Sequence, residues 1–297
     1  MRGVLTWFVA LVGLTVSVGA DAAETAFGPM QVQPAAHSFT VGKLELTSLH
    51  DIQFVFPNDG KTFGVGVETA DMSGLLRSAG APTDRITLSV SALLVRTGHR
   101  LVLIDTGVGP KLHGALLEGL HEAGVKPAAV TDVLITHSHG DHVGGLLDAS
   151  GHLAFPKATI RMSSAEWTWM QTKASPEMVQ AISSRVHTFE PGAQIAPGIT
   201  SVALPGHTPG HVGYEITSEG ARLLDIGDLA HSSIVSLAKP LWKMGFDNDD
   251  ALGKTTRSTT LKQLAADQEL VFAPHFPFPG VGQIEAAGDG FAWKPTH

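Results

Sequence analysis

Apolar residues along this chain fall into short runs whose period changes from two to about three and a half. Ile86-Thr87-Leu88-Ser89-Val90-Ser91 alternates apolar and polar positions, as a half-buried strand does. Leu101-Val102-Leu103-Ile104 and Val133-Leu134-Ile135-Thr136 are unbroken runs and read as fully buried strands. Strands are predicted within 43–56 and 87–104, and again over 199–204, 212–216 and 223–226. A last strand is predicted at Leu270-Val271-Phe272. Helical spacing over 112–123, closed by Gly124, predicts a helix, as does the pattern over 251–266. Gly144-Gly145-Leu146-Leu147 reads as a further helix start. Ser163-Ser164-Ala165-Glu166 has the form of a capping box and opens another helix through Trp167-Thr168-Trp169-Met170. Strands come first and last with helices between them, and no linker divides the chain.

The N-terminus departs from this pattern. Arg2 precedes an almost unbroken apolar stretch over 4–18, followed by the small-residue site Ala20-Asp21-Ala22. These features predict a cleaved signal peptide over 1–22 and a single mature domain over 23–297, periplasmic or secreted. The alternative, an uncleaved anchor, is disfavoured because the stretch falls short of the ~20 residues of a bilayer span. No later segment is apolar enough to serve as a stable membrane span. Among 297 residues, 43% are hydrophobic and 16% charged, enough for a large core. A formal charge of −8 with no basic run argues against a nucleic-acid partner. With no cysteine, a metal can be held only by His, Asp or Glu.

That restriction gives weight to His137-Ser138-His139-Gly140-Asp141-His142, which packs three imidazoles and a carboxylate at the end of a predicted strand. A solvated histidine-rich loop is the bland alternative, but such tracts tend to bind metal. Two zinc ions need about eight ligand positions, so the cluster cannot hold a pair unaided. Three more strand ends supply candidates: Gly206-His207-Thr208-Pro209-Gly210-His211, Asp225-Ile226-Gly227-Asp228 and Pro274-His275-Phe276-Pro277. Taken singly, each is more often a hydrogen-bonded histidine or a capping aspartate. Their ordered recurrence at strand ends is what carries the signal.

The order HxHxDH, GHTPGH, strand-end GD and a late histidine resembles the metallo-β-lactamase superfamily from about residue 43 to the end. The resemblance implies an α/β protein, a four-layer αβ/βα sandwich with two mixed sheets flanked by helices. By motif, His137, His139 and His207 would hold one divalent ion, and Asp141, His142 and His275 a second, with Asp228 bridging. Zinc is the default, although a His/Asp set also admits Mn, Fe or Co. Asp105, in a DTG strand end, would orient a ligand histidine, and His211 would support the site without touching metal.

Two ions close together can share a hydroxide by lowering the pKa of water from ~15.7 towards ~7. The implied function is metal-dependent hydrolysis of a lactone, aryl ester or phosphotriester, with Asp141 also passing a proton to the leaving group. The absence of cysteine excludes the lactam-cleaving branch that uses it, and Asp228 counts against the other lactam-cleaving branch. Glyoxalase-type thioesterases share the ligands but are typically cytosolic. Acyl-homoserine-lactone lactonases often carry a Tyr three positions after the bridging Asp, where this chain has His231, a further catalytic candidate.

Ile135-Thr136-His137, Gly227-Asp228-Leu229-Ala230-His231, Phe246-Asp247 and His275-Phe276-Pro277-Phe278-Pro279-Gly280 most resemble the exported methyl parathion hydrolase-like group of lactonases and phosphotriesterases. Apolar substrates of that kind imply an aromatic pocket, for which Trp167, Trp169, Phe276 and Phe278 are candidates. The expected partner is a small-molecule ester or lactone, with a homodimer left open. The rival from another class is an exported, non-catalytic metal-binding protein.

Overall fold

The computed structural model describes residues 27–296; the leader expected over 1–22 lies outside the described residues. Two sheets face each other. The N-terminal one has eight strands: β1 (Gly28–Met30), β2 (Ala35–Val41), β3 (Leu44–Pro57), β4 (Arg85–Thr97), β5 (Arg100–Ile104), β6 (Asp132–Leu134), β7 (Thr159–Ser163) and β8 (Val186–Phe189). Their order is β1-β3-β4-β5-β6-β7-β8, with β2 also paired to β3, antiparallel as far as β5 and parallel beyond. The second sheet orders β15-β14-β13-β12-β11-β10-β9. It comprises β9 (Gln194–Ala196), β10 (Ile199–Ala203), β11 (Val212–Ser218), β12 (Ala221–Asp225), β13 (Leu270–Phe272), β14 (Val281–Ala287) and β15 (Gly290–Pro295). Only its β12–β13 pair is parallel.

Strand periodicity explains the layering. On β4, Leu93 and Val95 pack with Ile199, Val212, Tyr214 and Phe272 of the facing sheet, while Ala92 and Leu94 point the other way. That outer face is covered by α2 (Leu116–Glu122), α4 (Ser164–Lys173) and α5 (Pro176–Ile182) through Leu116, Leu120, Met170 and Ile182. The far face of the second sheet takes Leu261 and Leu264 of α7 (Asp250–Asp267). Helix, sheet, sheet, helix is the expected four-layer sandwich, and burial on both faces is why the strand runs are so continuously apolar. Tyr214, the chain's one tyrosine, donates from its phenol to Ile135 O at 2.8 Å and ties the second sheet to the end of β6. Elsewhere α1 (Thr69–Ser78) packs beside the N-terminal sheet, and α3 (Gly140–Val143) and α6 (Val235–Ala238) are single turns.

Three sequence expectations shift. The helix expected over 112–123 breaks into a 3₁₀ turn, Pro110–Leu112, and α2, because His113 takes a left-handed conformation between them. The helix expected from Gly144 starts earlier, at Gly140, so Asp141 and His142 are helical. The strand at Leu270–Phe272 is not the last, since the β14–β15 hairpin follows it. Its first strand, Val-Gly-Gln-Ile-Glu-Ala-Ala, is too polar and small to read as an apolar run.

Candidate metal centre

Every sequence-predicted ligand sits just past a strand end on one rim of the sandwich. The segment after β6 delivers His137, and α3 with its preceding residue delivers His139, Asp141 and His142. His207 lies in the turn between β10 and β11, Asp228 in a 3₁₀ turn after β12, and His275 after β13. Donor atoms of His137, His139, His207 and Asp228 lie within 4.8 Å of one another, and Asp141, His142 and His275 form a second such group.

The spacing suits ions. His207 Nε2 is 3.2 Å from His137 Nε2 and 2.8 Å from His139 Nδ1, and His142 Nε2 is 3.3 Å from His275 Nε2. Ligands on a tetrahedron with zinc–nitrogen bonds of 2.0–2.1 Å stand about 3.3 Å apart. Asp228 separates the groups. Its Oδ1 lies 3.1 Å from His142 Nε2 and 3.0 Å from His275 Nε2, while Oδ2 lies 3.2 Å from His207 Nε2 and 3.6 Å from His137 Nε2. Yet Oδ1 is buried with no aligned hydrogen-bond donor. Imidazole nitrogens that converge on one another, around a buried carboxylate oxygen with no hydrogen-bond partner, fit a cation between them.

The electrostatics follow from the same crowding. Burial opposes the charge on Asp228, but the imidazoles of His275, His142, His137 and His207 outweigh it and hold the carboxyl well below its usual range. Burial likewise opposes protonation of His207, and Asp228 and Asp247 overcome it, raising that imidazole to about 9. His142 is driven well upward, against burial, by Asp228, Asp141 and Asp105. Where no carboxylate compensates enough, burial wins: His139 falls to about 4, and His137 falls well below its ordinary value.

Outer contacts aim the ligand nitrogens inward. His142 Nδ1 donates to Asp105 Oδ2 at 2.8 Å, and His275 Nδ1 donates to Ser89 O at 2.8 Å. His137 Nδ1 lies 3.1 Å from Thr136 Oγ1, which donates in turn to Asp105 Oδ2. Asp105, expected as an orienting group, therefore reaches two histidines, and it does so with φ of 60°, an unusual conformation for a non-glycine residue. His211 belongs to neither donor group. Burial holds it neutral, at about 3, so its Nε2 accepts from Asp228 N at 2.9 Å while Nδ1 donates to Leu204 O. Gly227 has φ of 47°, and a Cβ there would lie 2.6 Å from His211 Nε2, so that turn requires glycine.

Sequence reasoning missed several contributors. Glu166, read only as a capping-box partner, does receive its backbone cap from Ser163. Its buried carboxylate turns away, accepting from Ser138 N and Oγ at 2.7 and 2.6 Å and from Thr208 Oγ1 at 2.6 Å. It clamps the HxHxDH loop to the GHTPGH loop. Asp247, quoted for resemblance alone, lies 3.3 Å from His207 Nδ1. Asp51, one carboxylate in a strand-like run, accepts from Val108 N and Leu116 N at 2.7 and 2.9 Å.

A cavity of about 1330 Å³ opens over the centre, with His139, Asp141, His207, Asp228, His231 and His275 in its lining. Its apolar wall is Phe54, Phe56, Leu88, Val108 and Phe246. The aromatic pocket is therefore built differently from the expectation. Phe276 is fully buried in the outer core with its edge on Trp293, and Phe278 stacks on His50. Trp167 packs against the helix-covered core, and Trp169 meets His139 edge-on at 5.6 Å without lining the cavity. Alternation on β3 sends Phe54 and Phe56 to the rim, which local sequence around the ligands could not reveal. His231 Nε2 lies 3.2 Å from Asp228 Oδ2 but out of line, so both of its ring nitrogens lack hydrogen-bond partners.

Facing mixed sheets between helices, with histidine–carboxylate groups gathered on one rim, define a metallohydrolase-type α/β sandwich. The profile of the metallo-beta-lactamase superfamily matches residues 85–275, and the chain belongs to that superfamily. It is similar to AidC, a dizinc quorum-quenching lactonase solved with a homoserine product: TM-score 0.82, 28% identity, covering 89% of this chain and 98% of that one. An N-acyl homoserine lactonase of Bacillus cereus is 24% identical over 219 residues, 65% of this chain and 84% of its own length. YobT of Bacillus subtilis is 28% identical over 145 residues, and the chain spans only 60% of that relative's length. No helix among the described residues is long and apolar enough to cross a membrane.

Proposed function

We propose that this protein is a two-metal hydrolase of neutral, apolar esters, with lactones the foremost class and aryl esters or phosphotriesters further candidates. One observation carries the reading: an apolar cavity opens directly onto the two donor groups that Asp228 separates. Among the described residues, Lys111 is the one lysine or arginine in that lining, against Asp141, Asp148, Glu177 and Asp228. Such a site disfavours anionic substrates, whose carboxylate or phosphate needs cationic partners, and admits an uncharged ester with an apolar tail. Similarity to AidC and to the Bacillus cereus lactonase supports the lactone class.

His137, His139, His207 and Asp228 would hold one ion and Asp141, His142 and His275, with Asp228, the other. Bound divalent ions supply Lewis-acid polarisation of a carbonyl and acidification of nearby water. The chain's own groups do the rest. Phe54, Phe56 and Phe246 hold the apolar portion of the substrate and keep that wall dry. Asp141, whose side chain is 25% exposed, faces the cavity and can pass a proton through Oδ2 to the leaving alkoxide. His231, kept unprotonated by burial, offers an N–H beside Asp228 to a developing oxyanion.

The test is a panel of dihydrocoumarin, an N-acyl homoserine lactone and paraoxon, assayed on zinc-loaded protein of measured metal content. Turnover of a lactone ahead of paraoxon is expected. Failure to turn over any of the three with two ions bound would overturn the proposal.

A further inference from the structure

The two donor groups lean on different supports. Asp247 Oδ1 meets His207 Nδ1 at 3.3 Å, and its Oδ2 receives Arg257 Nη2 at 2.5 Å. Both side chains are sealed, at 0% and 1% exposure, so each charge has the other as its chief partner. Arg257 cannot swing away, because Nε also donates to Leu229 O at 2.8 Å and Nη1 to Pro240 O at 3.1 Å. Backbone bonds dock the segment after Asp247 onto the ligand's own loop, Asn248 N to His207 O at 3.0 Å and Asp249 N to Gly206 O at 2.9 Å. At Gly253 a Cβ would stand 2.8 Å from Asp247 Oδ2, so α7 can approach this closely only with glycine there.

Neither His142 nor His275 shares this support, their Nδ1 atoms being taken by Asp105 Oδ2 and Ser89 O. Asp105, by contrast, serves both groups, His142 directly and His137 through Thr136. A carboxylate at Nδ1 fixes the tautomer, makes the ring a better donor and aims Nε2 inward. We infer that Asp247, pinned by Arg257, is the positioning residue for His207, and that it governs loading of the His137/His139/His207 position alone. The Asp141/His142/His275 position loads independently of it. The inference rests on the two-metal reading above.

The test titrates metal-free, full-length protein with zinc against a chromophoric chelator, and repeats the titration with cobalt to follow its visible spectrum. Wild-type protein is expected to take up two equivalents. Asp247→Asn should keep one at wild-type affinity, with an unchanged first-equivalent cobalt spectrum, and bind the other roughly 10- to 100-fold more weakly. Asp105→Asn should weaken both. Because Asp247→Asn strands the Arg257 charge, the double variant Asp247→Asn/Arg257→Gln, which removes both charges, is titrated beside it and should show the same one-site loss. If the folded variants bind both ions as wild type does, or weaken both equally, the inference is overturned. A wild-type protein that takes up fewer than two ions would instead overturn the two-metal reading.

Discussion

Asp228 has five imidazoles within 3.6 Å, and four of them answer to different outer neighbours. His231 is the one with no outer partner, held by ring packing against Phe246 at 5.1 Å and His275 at 5.8 Å. His231→Phe keeps those ring contacts and removes both nitrogens. The expected result is a kcat for lactone hydrolysis lower by about 10²-fold, the low end of the loss on removing one oxyanion-hole donor. Metal content, checked by elemental analysis, should stay at the wild-type value. Glu166 behaves differently, since it touches no substrate-facing group. Glu166→Ala leaves Ser138 N–H and two hydroxyls without their buried acceptor and should cost roughly 1–3 kcal/mol in denaturant unfolding of the metal-free protein. Loosening both ligand loops should also weaken zinc binding by about 10-fold in chelator competition.

Elements place these residues by their irregularities. Where β3 pairs with β4 the register jumps from His50 to Ile52, leaving Asp51 as a bulged residue turned off the ladder. Its two carboxylate oxygens each take one backbone N–H, from Val108 and Leu116, and so pin the segment that carries Val108, Pro110 and Lys111 to the cavity mouth. Burial raises this carboxyl to about 6 in spite of those bonds, so it is close to half-protonated in mildly acid solution. Asp51→Asn can serve only one of the two N–H groups and presents an amide N–H₂ to the other. It should destabilise by roughly 1–3 kcal/mol, a fall in Tm of several degrees on the scale of about 2–4 °C per kcal/mol. Hydrogen exchange at Val108 and Leu116 should quicken, because their acceptor is weakened.

Across the molecule, the rim joins ligands from both sheets, so metal binding and folding are coupled. Ions present at about 100 times their dissociation constant add about 2.7 kcal/mol to the folded state. Chelation should therefore lower Tm by roughly 5 °C or more, a change that differential scanning calorimetry can read. Loading should also release protons. His207, raised to about 9 by Asp228 and Asp247 against burial, is protonated at pH 7 in the metal-free protein, whereas ligation requires the neutral ring. Zinc affinity should then climb with pH from neutrality and level off above about 9. Calorimetric titration in buffers of different ionisation enthalpy checks the proton count.

What the sequence determined unaided was the part written in local spacing. His137 to His142 announce themselves because donor types repeat within six residues, and the apolar runs before His137, His207, Asp228 and His275 mark them as strand ends. The layered class followed from those runs together with a family resemblance. Contacts between distant segments were hidden. Glu166 is separated from Thr208 by 42 positions, Asp247 from His207 by 40, and Asp51 from Leu116 by 65. The aromatic wall was misplaced for the same reason: Phe276 and Phe278 lie near a ligand in sequence, but a buried strand end turns them away, while Phe54 and Phe56 arrive from β3. A side chain's residue type fixes what it can ligate. Its outer partner, its tautomer and the face it presents depend on strand register and sheet packing, which only the tertiary structure decides.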